Sequence, residues 1–267
     1  MGSMMVVAFI GLGTLGGIFG TILAIAARKF AVAVDPRIQA ITQVLPAANC
    51  GGCGYPGCAG YAEAIVTANE SISLCNPGGA ETVAAMAAIL GVTAEAIEPQ
   101  VAVVRCGGHR DAAKEKYIYD GLRDCNIAIL LNGGAKACDY GCVGLASCVR
   151  ACPYDAMTMQ ANGLPLINGA QCTGCGICLN VCPKGILQLI PRSQKVYVAC
   201  SSPQRGKEVK AVCAVGCTGC TLCANPKFTP SAKVKMANNL PVISPDWQDY
   251  MTAVEKCPVR CLVVRGG

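Results

Sequence analysis

The cysteines carry the chemistry of this chain: Cys138, Cys142, Cys148 and Cys152-Pro153 form one run, and Cys172, Cys175, Cys178 and Cys182-Pro183 a second. The second run reads C-x2-C-x2-C-x3-C-P, a spacing that wraps one segment around iron–sulfur cubanes and supports one-electron chemistry. When two such runs follow each other the chain doubles back in a pseudo-twofold, and three cysteines of each half join the fourth of the other. The sets expected on that rule are Cys138, Cys142, Cys148 and Cys182 for one cluster, and Cys172, Cys175, Cys178 and Cys152 for the other. Upstream, Cys50, Cys53, Cys58 and Cys75 follow C-x2-C-x4-C-x16-C and supply four thiolates for one more 4Fe-4S cluster. Glycines within it let the backbone turn tightly and aim N–H groups at sulfur. Four cysteines also suit a structural zinc ion; the neighbouring runs favour iron.

A further copy begins at Cys217, Cys220 and Cys223, but its fourth position is Lys227. Its other half aligns as well: Asn239-Leu-Pro-Val-Ile-Ser echoes Gly163-Leu-Pro-Leu-Ile-Asn, and Cys257-Pro258 echoes Cys182-Pro183. Trp247, Tyr250 and Ala253 stand where three ligands are expected. All four ligands of one cluster are lost together, so Cys217, Cys220, Cys223 and Cys257 are expected to hold a single cluster, with Trp247 and Tyr250 filling the vacated site. The expectation is four 4Fe-4S clusters on sixteen of the 21 cysteines.

Five cysteines remain: Cys106, Cys125, Cys200, Cys213 and Cys261. Cys106 and Cys200 occupy matching contexts, Val101-Ala-Val-Val-Arg-Cys106 and Val196-Tyr-Val-Ala-Cys200, each followed by another cysteine, Cys125 or Cys213. Their expected role is buried structural thiol, against a redox pair or extra ligands. His109 is the only histidine, which excludes a two-histidine Rieske centre within the chain. No catalytic constellation accompanies it. Arg205, Lys207 and Lys210 read as solvated surface that could attract an acidic redox protein.

Composition agrees with these sites. The chain has 267 residues with only 4 Phe and 1 Trp, so several small units stapled by inorganic clusters suit it better than one large core. Thiolate ligands must stay reduced, which argues for a reducing compartment rather than a disulfide framework. The formal charge of +6 is offset by about −2 for each oxidised cubane with its thiolates, so the basic balance gives no support to nucleic-acid binding.

Met4 to Ala27 carries no formal charge, and Arg28 and Lys29 follow. A helix of that length, at about 1.5 Å per residue, spans a hydrocarbon core of roughly 30 Å. The basic pair follows the apolar run, unlike a cleaved signal peptide, and sets the rest of the chain on the cytoplasmic side. Gly13/Gly17 and Gly16/Gly20 are small-xxx-small pairs suited to close packing against other membrane helices. The run Gly11-x-Gly13-x-x-Gly16, with Asp35 downstream, also matches a dinucleotide fingerprint. However, the following segment lacks a polar face and no alternating strand–helix units follow.

The order of anchor, C-x2-C-x4-C-x16-C module, the segment Tyr117-Ile-Tyr-Asp-Gly-Leu-Arg-Asp-Cys125, Cys138-Asp-Tyr-Gly-Cys142 and tandem ferredoxin repeats closely resembles the B subunits of the Rnf complex. That complex is a membrane-bound ferredoxin:NAD oxidoreductase that couples electron flow to sodium or proton transport. The resemblance covers essentially the whole chain and departs from versions with fuller C-terminal cluster arrays at the missing ligands noted above. It implies an enzyme subunit that accepts electrons from soluble ferredoxin and relays them through its clusters to other membrane and peripheral subunits, single-pass in the cytoplasmic membrane among its lipids. The apolar helix holds no ionisable residue, so ion translocation belongs to partners, as do flavin and NAD chemistry. A membrane-anchored polyferredoxin serving another reductase or a corrinoid-activating system is the alternative, and a zinc-loaded adaptor a third.

The fold class expected is α+β: a transmembrane helix (1–30), a small helical 4Fe-4S domain (31–100), a linker (101–133), a two-cluster ferredoxin-like βαβ-type domain (134–192) and a degenerate one-cluster copy (193–267). In the helical domain, Cys58 to Ala68 and Ala80 to Leu90 read as short apolar helices.

Overall fold

The computed structural model describes residues 2–30, 35–94 and 98–266. Helix α1 (Gly2–Lys29) runs unbroken through the glycines and ends on Arg28 and Lys29. Its described side chains lie in the open, Phe9 at 75 % and Leu23 at 67 % exposure, which an apolar helix tolerates in lipid but not in water. A dinucleotide site needs strand, turn and helix in that order; Val6 to Gly16 is helix throughout. The fingerprint reading therefore fails on local structure.

Next comes a three-helix unit. Helix α2 (Pro36–Val44) starts with Pro36 in its first turn and the Asp35 side chain accepting from the Arg37 N–H, a favourable start for a helix. Helix α3 (Cys58–Ala68) and helix α4 (Gly79–Leu90) stop at left-handed Asn69 and Gly91. They match the two helices read from the apolar pattern. Ile41, Tyr61, Val83 and Met86 are fully buried between them.

The rest of the described chain is built from four two-stranded antiparallel sheets and short helices. Strand β1 (Gln100–Val104) pairs with β4 (Leu187–Pro191), Val101 opposite Ile190. Between them lie α5 (Cys125–Ala128), α6 (Ser147–Arg150), the hairpin β2 (Met157–Met159) and β3 (Pro165–Ile167), and α7 (Ile177–Asn180). The last unit repeats the plan. Strand β5 (Val196–Val198) pairs with β8 (Leu262–Val264), enclosing α8 (Gly206–Val212), a 3₁₀ turn (Leu222–Ala224), the hairpin β6 (Val234–Ala237) and β7 (Leu240–Ile243), and α9 (Met251–Lys256).

One expectation changes. Residues 101–133 are not a linker: Val101 to Val104 are all buried and pair with β4, because an unbroken apolar run must bury both faces. Farther on, the segment is bonded to the last unit, Gly107 N–H donating to the Ala199 carbonyl (2.8 Å) and Lys114 N–H to the Val212 carbonyl (2.9 Å). The matching contexts of Cys106 and Cys200 are thereby explained, since each follows the opening strand of one unit.

Candidate iron–sulfur sites

Three short turns present cysteines in the same way. Each has a left-handed residue two positions before a cysteine: Ala146 (φ 65°) before Cys148, Gly176 (φ 82°) before Cys178, and Thr221 (φ 63°) before Cys223. A second left-handed residue follows each Cys-Pro by three positions from the cysteine, namely Asp155 (φ 48°), Gly185 (φ 58°) and Arg260 (φ 49°). Non-glycine residues rarely adopt this region unless the surroundings require it. The recurrence makes Cys257 the counterpart of Cys152 and Cys182.

The cysteines surround separate hollows. Cys152, Cys172, Cys175 and Cys178 line one of about 350 Å³. Cys217, Cys220, Cys223 and Cys257 line another of about 340 Å³, with Cys261 at its wall. Cys50, Cys53 and Cys58 stand close enough to Cys75 for their charges to act on it, so the first module also comes together. The fourth set differs from expectation. Cys142, Cys148 and Cys182 line a hollow of about 370 Å³ whose fourth cysteine is Cys125. Cys138 lies elsewhere, lining a hollow with Cys106, Cys200 and Cys213.

The substitution of Cys125 for Cys138 has a local cause. Asp124 caps α5, its carboxylate accepting from the N–H groups of Asn126 (2.8 Å) and Ile127 (3.3 Å) and from the Ser147 hydroxyl (3.0 Å). Ser147 Oγ in turn accepts from the Cys125 N–H (2.8 Å). This network fastens Cys125 to the turn that carries Cys148. Spacing could not find it, because Cys125 belongs to no cysteine run.

Trp247 is buried with Ala253 in the core of the last unit, and Tyr250 packs edge-on against it with ring centroids 6.1 Å apart. Positions 247, 250 and 253 are thus packed into the core of the last unit.

The electrostatics fit iron–sulfur ligation. Burial pushes the thiols of Cys142 and Cys178 up to about 12, and those of Cys148 and Cys223 up to about 11; a bound metal must supply the charge that favours the thiolate. At the last site, hydrogen bonding with Cys261 lowers Cys217 and Cys257 while Cys261 itself is raised; Cys257 and Cys261 lie 3.7 Å apart at sulfur. Sulfur also accepts from backbone, as in Ala102 N–H to Cys172 Sγ (3.5 Å), an interaction that tunes cluster potential.

The first module is seated directly on the second. Gly52 lies so close to the Cys175 carbonyl that a Cβ on it would stand 1.9 Å from that oxygen, and the Asn76 side chain donates to the Gly174 carbonyl (3.2 Å). Tyr154, just after Cys152-Pro153, feels charge on Cys50, Cys75 and Cys175, so it lies where the two sites adjoin. His109 Nδ1 has no hydrogen-bond partner and no cysteine site uses it.

Comparison with known proteins follows the same map. Residues 45–77 match the family described as "Putative Fe-S cluster" and residues 137–186 the "4Fe-4S dicluster domain". The chain is 40 % identical over 252 residues to the B subunit of the Na(+)-translocating ferredoxin:NAD(+) oxidoreductase complex of Acetobacterium woodii, spanning 94 % of this chain and 75 % of that one. It is 43 % identical over 253 residues to the B subunit of the proton-translocating ferredoxin:NAD(+) oxidoreductase complex of Clostridium ljungdahlii, spanning 93 % and 88 %. Against the B subunit of the ion-translocating oxidoreductase complex of Methanosarcina acetivorans the figures are 39 % over 261 residues, 98 % and 97 %.

Proposed function

The chain belongs to the family of B subunits of the Rnf ion-translocating ferredoxin:NAD oxidoreductases, and from that membership we propose that it takes electrons from soluble reduced ferredoxin and delivers them to partner subunits. It is an electron-relay subunit of the membrane-associated complex. Bound 4Fe-4S cubanes supply one-electron chemistry. The ligands we assign are Cys50, Cys53, Cys58 and Cys75; Cys152, Cys172, Cys175 and Cys178; Cys125, Cys142, Cys148 and Cys182; and Cys217, Cys220, Cys223 and Cys257.

The observation that carries this reading is the adjacency of the cysteine sets. Gly52 against Cys175 seats the first set on the second. Cys178 feels charge on Cys148 and Cys152, so the second set adjoins the third within one unit. We read the middle and last units as ferredoxin-like, since both close an antiparallel strand pair around paired cysteine turns. Helix α1 serves as the membrane anchor, and Arg28 and Lys29 at its end favour a cytoplasmic position for the cysteine units. The transported ion is assigned to partners, whose membrane helices would pack against the glycine face of α1.

The test is anaerobic purification of the full chain in detergent, metal analysis, and EPR during titration with reduced ferredoxin. Cubane signals that grow with added ferredoxin are expected, with no NAD reduction by this chain alone. Zinc in place of iron, or clusters that reduced ferredoxin leaves oxidised, would overturn the reading.

A further inference from the structure

Between the middle and last units lies a hollow lined by Cys106, Cys138, Cys200 and Cys213. Its four cysteines come from segments far apart in sequence. Cys106 and Cys200 follow the opening strands of their two units; Cys138 precedes the Cys142 turn; Cys213 ends α8. Backbone bonds hold the walls together, Gly107 N–H to the Ala199 carbonyl (2.8 Å) and Ala214 N–H to the Ala112 carbonyl (2.8 Å). A Cβ on Gly108 would stand 3.4 Å from Cys213 Sγ and 3.6 Å from Cys106 Sγ. The two sulfurs therefore face one space without being bonded, and all four cysteines are free.

One of the sulfurs acts as an acceptor: Cys142 N–H donates to Cys106 Sγ (3.3 Å), the kind of backbone donation that a ligating thiolate receives. Lys136 supplies an independent sign. It lines the same hollow and is 9 % exposed, and its ammonium donates to the Gly108 carbonyl. No carboxylate pairs with it among the described residues. A buried cation without a counter-charge is strongly unfavourable, and an anionic cluster in the hollow would provide one.

We propose that Cys106, Cys138, Cys200 and Cys213 hold a fifth 4Fe-4S cluster, which rests on the relay reading above and extends it. Ligation takes all four as thiolates and releases their protons. The place of the site gives it a purpose. Cys106 accepts from the backbone of Cys142, assigned above to the middle unit, and Cys200 is buried in one cluster with Cys217, assigned to the last. The fifth site therefore sits between the middle and last units and makes the row of cysteine sets continuous. It uses three of the cysteines read from spacing as structural thiols and leaves only Cys261 outside the ligand sets.

Native mass spectrometry of the full chain, isolated anaerobically and fully loaded, counts the cubanes directly. Five are expected, or about twenty iron atoms per chain. Five require twenty thiolates, which the 21 cysteines can supply only by including at least three of these four. The Cys200→Ala/Cys213→Ala variant is expected to lose one cubane, about four iron atoms, and to keep the EPR signals of the others. A fully loaded chain with no more than four cubanes overturns the fifth site and leaves the relay reading intact; so does a disulfide among the four cysteines. Zinc with little iron would instead remove the relay reading itself. If the variant does not fold, the wild-type count still decides.

Discussion

Replacing Gly52 by alanine tests whether the first module is held against the middle unit as the structure has it. Gly52 is not in the left-handed region, so a methyl group costs little within its own turn. Across the junction the added Cβ would stand 1.9 Å from the Cys175 carbonyl oxygen and 3.0 Å from its carbon. Both partners are backbone beside cluster ligands, so no side chain can swing aside. Relief to ordinary contact requires a shift of about 1 Å, and overpacking of this kind costs typically about 1–3 kcal/mol. The Asn76 to Gly174 bond of 3.2 Å spans the same junction and would lengthen too, at about 1 kcal/mol. Together these weaken docking by roughly 10-fold to 1,000-fold at about 1.4 kcal/mol per decade. The assay is twofold: magnetic coupling between cluster EPR signals in the part-reduced chain, and the rate at which reduction spreads between the first module and the rest. Iron content should be unchanged, because Gly52 ligates nothing; coupling and rate should both fall. Wild-type coupling and rate in a variant with full iron would refute the docked arrangement.

Other perturbations probe single features. Tyr61 is buried, donates to the Ser71 carbonyl (2.6 Å) and accepts from the Leu74 N–H (3.2 Å), fastening the loop that leads to Cys75. Tyr61→Phe leaves those backbone groups unpaired at about 1–3 kcal/mol, and the first module should release its iron to a chelator faster than the others. Restoring cysteine at Lys227, Trp247, Tyr250 and Ala253 should add about four iron atoms if the last unit retains the frame of the two-cluster one; unchanged iron would count against that register. Removing residues 1–30 should give a chain that stays in solution without detergent and keeps its full iron, and loss of iron would show that α1 supports the clusters.

Much of the site was legible because ligand spacing within a turn is local. The C-x-x-C runs, the Cys-Pro steps and the vacated positions at Trp247 and Tyr250 follow from how a short segment wraps a cube, and the left-handed residues at Ala146, Gly176 and Thr221 repeat accordingly. Helix α1 was equally plain, since bilayer thickness and apolar length are one-dimensional quantities. The exchange of Cys138 for Cys125 was not legible. It depends on the Asp124 and Ser147 hydrogen bonds, which join residues with no spacing rule between them.

By itself, the sequence carried the cysteine runs in cubane spacing, an apolar run long enough to cross a membrane, and a repeat of the cysteine turn near the C-terminal end. Only the tertiary structure decided which cysteines share a site. Strand β1 returns to β4 and β5 to β8, carrying Cys106 and Cys200 to one hollow from opposite units. A cysteine set assembled across two units is fixed by strand pairing and packing, and those contacts leave no periodic trace along the chain.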